Sequence, residues 1–134
     1  MDQLQQAKIL IADDSAVMRV QLRHSLEELN LGTVIDAENG LSAWDELQRD
    51  DFHCLVLDWE MPGLDGIQLL ERIRKDEKLK DLPVLMITIH SDQKKIMQAM
   101  QQGVKGYIIK PMNSQILQNK VLEILKEAPT LPHL

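Results

Sequence analysis

Five times along this chain, a short apolar run gives way to a polar break and then to apolar residues at helical spacing. Such an alternation has few ways to bury its apolar faces. The common one is a parallel sheet with helices on both sides and right-handed crossovers. The strand-like runs are 8–12, 33–37, 53–57, 84–87 and 106–109. The stretch Cys54-Leu55-Val56-Leu57 has no polar position, as expected of a strand covered on both faces. Helical spacing follows at 15–29 (Met18, Leu22, Leu26, Leu29), 41–48 and 67–75 (Leu70, Ile73). A fourth helix carries Ile96, Ala99, Met100 and Gly103, and a fifth carries Leu117, Val121, Ile124 and Leu125. Asp13-Asp14-Ser15, Ser91 or Asp92, and Ser114 are candidate helix caps. Asn39-Gly40 is a turn signal, and the charged stretch 75–81 reads as a solvated helix end and loop. The predicted fold class is α/β, a doubly wound five-stranded parallel sheet with five helices. For five units the natural strand order is 2-1-3-4-5, flavodoxin-like.

At 134 residues the chain suits one domain, expected over 7–127, with an N-terminal tail at 1–6. The two prolines of 128–134 mark a C-terminal tail or the start of a linker. The formal net charge of −6 argues against direct binding of nucleic acid and gives no support to an anionic membrane surface. No apolar stretch is long enough to span a bilayer. Residues 1–6 lack the basic and apolar regions of a signal peptide, and the lone Cys54 allows no internal disulfide. A cytoplasmic protein is expected. Cys54 reads as an inert core thiol, and the four histidines have no metal-like spacing.

Each strand-like run near the centre ends in a polar residue, and in an open parallel sheet ligands bind at those carboxyl ends. Asp13 and Asp14 follow the first run, Asp58 the third, Thr88 the fourth and Lys110 the fifth. Adjacent carboxylates repel and can serve simply as a helix cap. With Asp58 facing them, a divalent cation such as Mg²⁺ is the better reading. Asp58 is the candidate nucleophile, since a carboxylate can accept a phosphoryl group. Lys110 supplies a point charge suited to phosphate and Thr88 a hydroxyl donor. Lys110-Pro111 is a candidate cis peptide, because proline is where cis bonds occur.

The strings Ile-Leu-Ile-Ala-Asp13-Asp14-Ser, Val-Leu-Asp58-Trp-Glu-Met-Pro-Gly-Leu-Asp-Gly66, Ile-Thr88 and Ile-Lys110-Pro111 together resemble the receiver domain of two-component response regulators. In length the chain is similar to the single-domain chemotaxis type. The resemblance covers 7 to about 127. It implies that Asp58 accepts phosphoryl from a sensor histidine kinase, a histidine phosphotransfer protein or a small donor such as acetyl phosphate. It implies that Asp14, Asp58 and the backbone carbonyl of Glu60 bind Mg²⁺, with Asp13 acting through water. Thr88 and Lys110 would hold the phosphoryl oxygens, and Thr88 and Tyr107 would act as the switch. The face built from the fourth helix, fifth strand and fifth helix would then engage a downstream protein. A monomer is expected, with dimerisation on phosphorylation left open. Tyr107 read without the resemblance is half-buried packing with its hydroxyl in water.

Three positions near the mouth are candidate modulators. Ile89 is β-branched where receivers usually carry a small residue; it either crowds the phosphoryl site or packs beneath the fourth helix. Glu60 either pairs with Lys110 or acts on an attacking water. His90 faces solvent or the site mouth. Rival readings fit less well. A haloacid dehalogenase-type phosphohydrolase has a second Asp where this chain has Glu60, and 134 residues leave no room for its cap domain. A flavin carrier of this fold needs a hydroxyl- and Gly-rich loop where this chain has Asp13-Asp14-Ser15. A phosphate-independent receiver-like domain tends to lose an acid or the lysine, and a receiver fragment of a larger regulator stays open.

Overall fold

The computed structural model describes residues 3–127. The strands are β1 (Lys8–Ala12), β2 (Thr33–Ala37), β3 (Cys54–Leu57), β4 (Val84–Thr88) and β5 (Gly106–Ile109). The helices are α1 (Ala16–Glu27), α2 (Gly40–Arg49), α3 (Gly66–Lys75), α4 (Gln93–Gln101) and α5 (Ser114–Glu127). All strand pairs are parallel, in the order β2-β1-β3-β4-β5 expected from the alternation.

The two-residue period of the strands divides the core in two. Leu10, Ala12, Leu55, Leu57, Val84 and Met86 face α2, α3 and α4, where they meet Ala43, Leu47, Leu69, Leu70, Ile73 and Ala99. Ile9, Ile11, Cys54, Val56, Leu85 and Ile87 face the other way, onto Leu22 and Leu26 of α1 and Leu117, Val121, Ile124 and Leu125 of α5. That double coverage is why β3 and β4 have no exposed position.

Helix starts follow the capping chemistry, with shifts from the expected residues. Ser15 caps α1, its Oγ accepting from the Met18 amide at 3.2 Å. Asn39-Gly40, read as a turn, is instead the start of α2: Asn39 and Ser42 form a capping box. Asp65 and Gln68 do the same for α3, and Asp92, not Ser91, caps α4. At α5 the cap is Asn113, whose Oδ1 accepts from the Ile116 amide at 3.0 Å. Ser114 lies inside the helix and shares a 2.5 Å hydrogen bond with the Ser25 hydroxyl of α1. Gly103, expected within the fourth helix, lies past its end at φ 76°, a left-handed conformation that glycine adopts without strain.

Two other expectations change. Part of the expected tail at 1–6 is ordered backbone, since Gln3–Gln6 is a turn of 3-10 helix. The stretch 75–81 is not merely solvated: Leu79 is buried, and Arg74 of α3 binds the backbone of the same loop. Its Nε donates to the Gln102 carbonyl at 2.6 Å, and its terminal nitrogens donate to Lys80, Leu82 and Gly103. One guanidinium thus ties α3 to the loop before β4 and to the end of α4. The expected tail at 128–134 lies outside the described residues.

Candidate functional site

Strand register brings the polar strand ends together. Ala12 pairs with Leu57, Leu57 with Met86, and Thr88 with Ile109. The next residues continue the ladder, with the Asp58 amide donating to Ala12 at 2.9 Å and the Lys110 amide to Thr88 at 2.8 Å. Asp13, Asp58, Thr88 and Lys110 therefore share one edge of the sheet. Asp13 is 1% exposed, Asp58 5% and Thr88 0%, while Asp14 lies open to solvent.

Lys110 Nζ sits between two carboxylates, 3.1 Å from Asp13 Oδ2 and 3.2 Å from Asp58 Oδ2. The other Asp13 oxygen accepts from the Ser15 amide at 2.9 Å. Arg19 donates to the Asp13 carbonyl at 2.8 Å, which steadies the turn into α1. Burial, and then the charge of Asp13, push the Asp58 pKa up, with Lys110 opposing both. Burial works against the Lys110 ammonium, but the Asp13 and Asp58 carboxylates overrule it and its pKa rises. The Lys110–Pro111 bond is cis.

One ligand oxygen from each of Asp13, Asp14 and Asp58 lies within 4.8 Å of the others. One ammonium does not balance three carboxylates, two of them nearly buried. A hard divalent cation with oxygen ligands and retained waters fits that donor set and its excess charge. Among the described residues this is the one such cluster.

The loop after β3 is fixed from below. Trp59 and Met61 are each 6% exposed. The Gly66 amide donates to the Trp59 carbonyl at 2.8 Å. A Cβ on Gly66 would lie 2.2 Å from the Asp58 carbonyl oxygen, so only glycine lets α3 start this close to the loop.

At the mouth of the site one alternative falls away for each of Glu60 and Ile89. Glu60 does not pair with Lys110; its carboxylate meets His90 Nε2. Lys110 is already held by two acids closer to it, and Glu60 points outward with a 61% exposed side chain. Ile89 does not pack beneath α4, since it is 65% exposed. Tyr107 does not leave its hydroxyl to water: it donates to the His90 carbonyl at 2.8 Å. The His90 amide donates to Thr88 Oγ1 at 3.3 Å, and the His90 ring stands edge-on to Trp59 at 5.9 Å. Lys95 of α4 lies over the same indole at 5.5 Å. The Glu60–His90 contact escaped the sequence reading, although its signal was there. Both residues stand two places past a strand-end site residue, Asp58 and Thr88, on neighbouring strands. Cys54 is buried on the α1/α5 side, where burial pushes its thiol up to about 12 and leaves it inert.

Comparison with known proteins agrees with this geometry. Residues 9–122 match the family model of the response regulator receiver domain. The chemotaxis protein CheY-3 of Vibrio cholerae is 44% identical over 119 residues, spanning 89% of this chain and 92% of that protein. CheY of Pseudomonas aeruginosa is 42% identical over 119 residues, spanning 89% and 96%. Among solved structures, CheY4 of Vibrio cholerae superposes with a TM-score of 0.82 at 28% identity, covering 90% of this chain and 99% of that one. With five parallel strands in flavodoxin-like order and the acidic cluster at their carboxyl ends, this chain belongs to the response regulator receiver family, with the fold of its CheY-type members.

Proposed function

We propose that this chain is a phosphorylation-dependent signalling switch. In this reading Asp58 takes a phosphoryl group and the α4-β5-α5 face passes the change to another protein. The observation that carries the reading is Lys110 Nζ seated between Asp13 and Asp58, with Asp14 and Thr88 at the same edge. The receiver unit is 7–127, flanked by 1–6 and 128–134.

Asp58 must be ionised to attack, and Lys110 favours that form against burial and Asp13. An Asp58 oxygen attacks phosphorus in line with the leaving group. The new P–O bond forms as the donor's P–N bond (phosphohistidine) or P–O bond (acetyl phosphate) breaks, and the donor leaves with the electron pair. The transferring group carries its charge on its equatorial oxygens, so positioning and charge stabilisation do most of the work. Asp14, Asp58 and the Glu60 carbonyl would hold Mg²⁺, with Asp13 assisting, and the cation would supply positive charge to those oxygens. Lys110 supplies more. The Thr88 hydroxyl, which accepts from the His90 amide, keeps its own proton to donate to a phosphoryl oxygen. Thr88 and Tyr107 then shift and reshape the α4-β5-α5 face. Water attack on the acyl phosphate resets the switch, and Glu60, Ile89 and His90 at the mouth set how fast.

The phosphodonor partner is a sensor histidine kinase or histidine phosphotransfer protein. The resemblance to proteins named for chemotaxis supports a protein target downstream. In this reading the chain is a cytoplasmic monomer before phosphorylation, dimerisation on phosphorylation stays open, and nucleic acid is not a direct partner. No described helix is long and apolar enough to cross a membrane.

The test is intact mass after incubation with Mg²⁺ and acetyl phosphate, beside an Asp58→Asn control. A phosphoryl adduct on the wild type alone, lost on standing, is expected. No adduct from acetyl phosphate or from a phosphorylated kinase, or an equal adduct on the Asn variant, would overturn the reading.

A further inference from the structure

Arg19 stands where helix electrostatics disfavour it. It is the fourth residue of α1, so its charge lies close to the helix N-terminus, where the macrodipole opposes a cation. Its side chain is nonetheless partly buried, and two groups hold it. Nη1 donates to the Asp13 carbonyl at 2.8 Å, back across the turn that precedes the helix. Nε lies 3.5 Å from Asp36 Oδ2 on the edge strand β2. Asp36 is itself fixed: Arg23 Nη2 donates to its other oxygen at 2.9 Å, and Arg23 Nη1 donates to the Val34 carbonyl at 2.5 Å. The Arg19 guanidinium is therefore seated on β2 and aimed at the turn.

That turn carries the acidic cluster. The Asp13 side chain has holders of its own, Oδ1 on the Ser15 amide and Oδ2 on Lys110. Asp14 lies open to solvent, so the backbone of the turn decides where its carboxylate points. The Asp13 carbonyl belongs to the peptide plane that joins Asp13 to Asp14. Fixing that oxygen fixes the plane, and with it the direction in which Asp14 leaves the chain. The Asp13 amide donates to the Ala37 carbonyl at 3.2 Å, so β2 steadies the turn twice, once directly and once through Arg19. By charge alone Arg19 repels a divalent ion at the cluster, so its place there calls for a gain of another kind.

We propose that Arg19 is a positioning residue for the cation site: seated on Asp36, its guanidinium holds the Asp13–Asp14 peptide so that the Asp14 carboxylate stays within reach of an ion shared with Asp13 and Asp58. The role rests on the metal site of the proposed function. Arg19 acts on cation affinity through geometry and against its own charge, so the two effects have opposite signs and one titration separates them.

The test is Mg²⁺ titration of the full chain, followed by Trp59 fluorescence in a Trp44→Phe background, which leaves Trp59 as the one indole. Arg19→Met and Arg19→Gln both remove the charge, and only Gln keeps an N–H for the Asp13 carbonyl. Arg19→Met is expected to weaken Mg²⁺ binding about 10-fold, the low end for loss of a group that orients a metal ligand. Arg19→Gln should recover the affinity to within about 3-fold of the wild type. In the metal-free protein the Asp14 amide resonance should move in the Met variant and return toward its wild-type position in the Gln variant. Tighter or unchanged binding in Arg19→Met would overturn the proposal, because loss of charge alone acts in that direction. Equal weakening in the Met and Gln variants would overturn it too, since a general loss of packing does that and loss of one hydrogen bond does not. Should Arg19→Met fail to fold, Arg19→Lys takes its place: it keeps the charge but replaces the fork that serves Asp36 and the carbonyl together, so weaker binding is expected and wild-type affinity would overturn the proposal. No Mg²⁺ quench in the wild type would overturn the metal site itself, and this role with it.

Discussion

Helices α3 and α4 lie on the same side of the sheet and are nearly equal in length, yet they are built to opposite ends. Five of the ten residues of α3 are buried (Gly66, Ile67, Leu69, Leu70 and Ile73), and a capping box closes its first turn. Of the nine residues of α4, only Ala99 is buried, while Met97 and Met100 are 48% and 51% exposed. The first helix holds the Asp58 loop where the chemistry needs it. The second leaves apolar side chains in solvent on a face that gives up little packing when it moves. Low local stability is where moving elements are drawn from.

Paired core truncations give the sharpest form of that contrast. Leu70→Ala, at a fully buried position, should cost about 3.5 kcal/mol of unfolding free energy, and Ile96→Ala on half-buried α4 about 1. Urea denaturation of the two variants reads the gap directly, and similar losses would erase the distinction. Gly66→Ala comes next, at about 3 kcal/mol, because its Cβ meets the Asp58 carbonyl oxygen at 2.2 Å and backbone must shift. It should also slow phosphorylation of Asp58 by acetyl phosphate, which rapid-quench mass spectrometry would show. Arg74→Met removes the tie between the two helices and leaves four carbonyls to find other donors, for about 2 kcal/mol. Amide exchange should then rise through α4 and leave α3 unchanged.

The smallest effect has the opposite sign. Asp58→Asn removes a buried charge that Asp13 repels, so the protein should gain about 1 kcal/mol at pH 7. The folded-state pKa of Asp58 lies above its ordinary value, so the folded protein holds that proton more tightly than the unfolded chain does. Stability from this group is complete below pH 3.8 and is lost as pH rises through the folded value. The advantage of the Asn variant should therefore shrink as the pH falls toward 3.8, which thermal melts across that range would follow.

What could be read from the sequence was whatever depends on period and order. Alternating strand and helix runs gave the sheet and its helices, and polar residues at the ends of apolar runs gave Asp13, Asp58, Thr88 and Lys110. Both signals are local, and a parallel sheet converts them into position without further information. Long side chains were a different matter. Pairing with Lys110 was one of two roles open to Glu60, but Asp13 and Asp58 hold that ammonium and Glu60 turns to His90. Arg74 went unremarked in the sequence, since nothing local shows that the Gln102 and Gly103 carbonyls will come within its reach. Ser114 was the expected cap of the fifth helix, but its hydroxyl is shared with Ser25 across the α1/α5 contact and Asn113, one residue earlier, caps instead.

The contrast between α3 and α4 is tested most directly by amide chemical shifts recorded with Mg²⁺ before and after addition of beryllium fluoride as a phosphoryl mimic. We predict large shifts from Thr88 through the end of β5, with α4 among them, and small shifts across Ile67 to Ile73. Shifts of equal size in both helices, or shifts confined to the immediate surroundings of Asp58, would contradict the account of a fixed α3 and a movable α4.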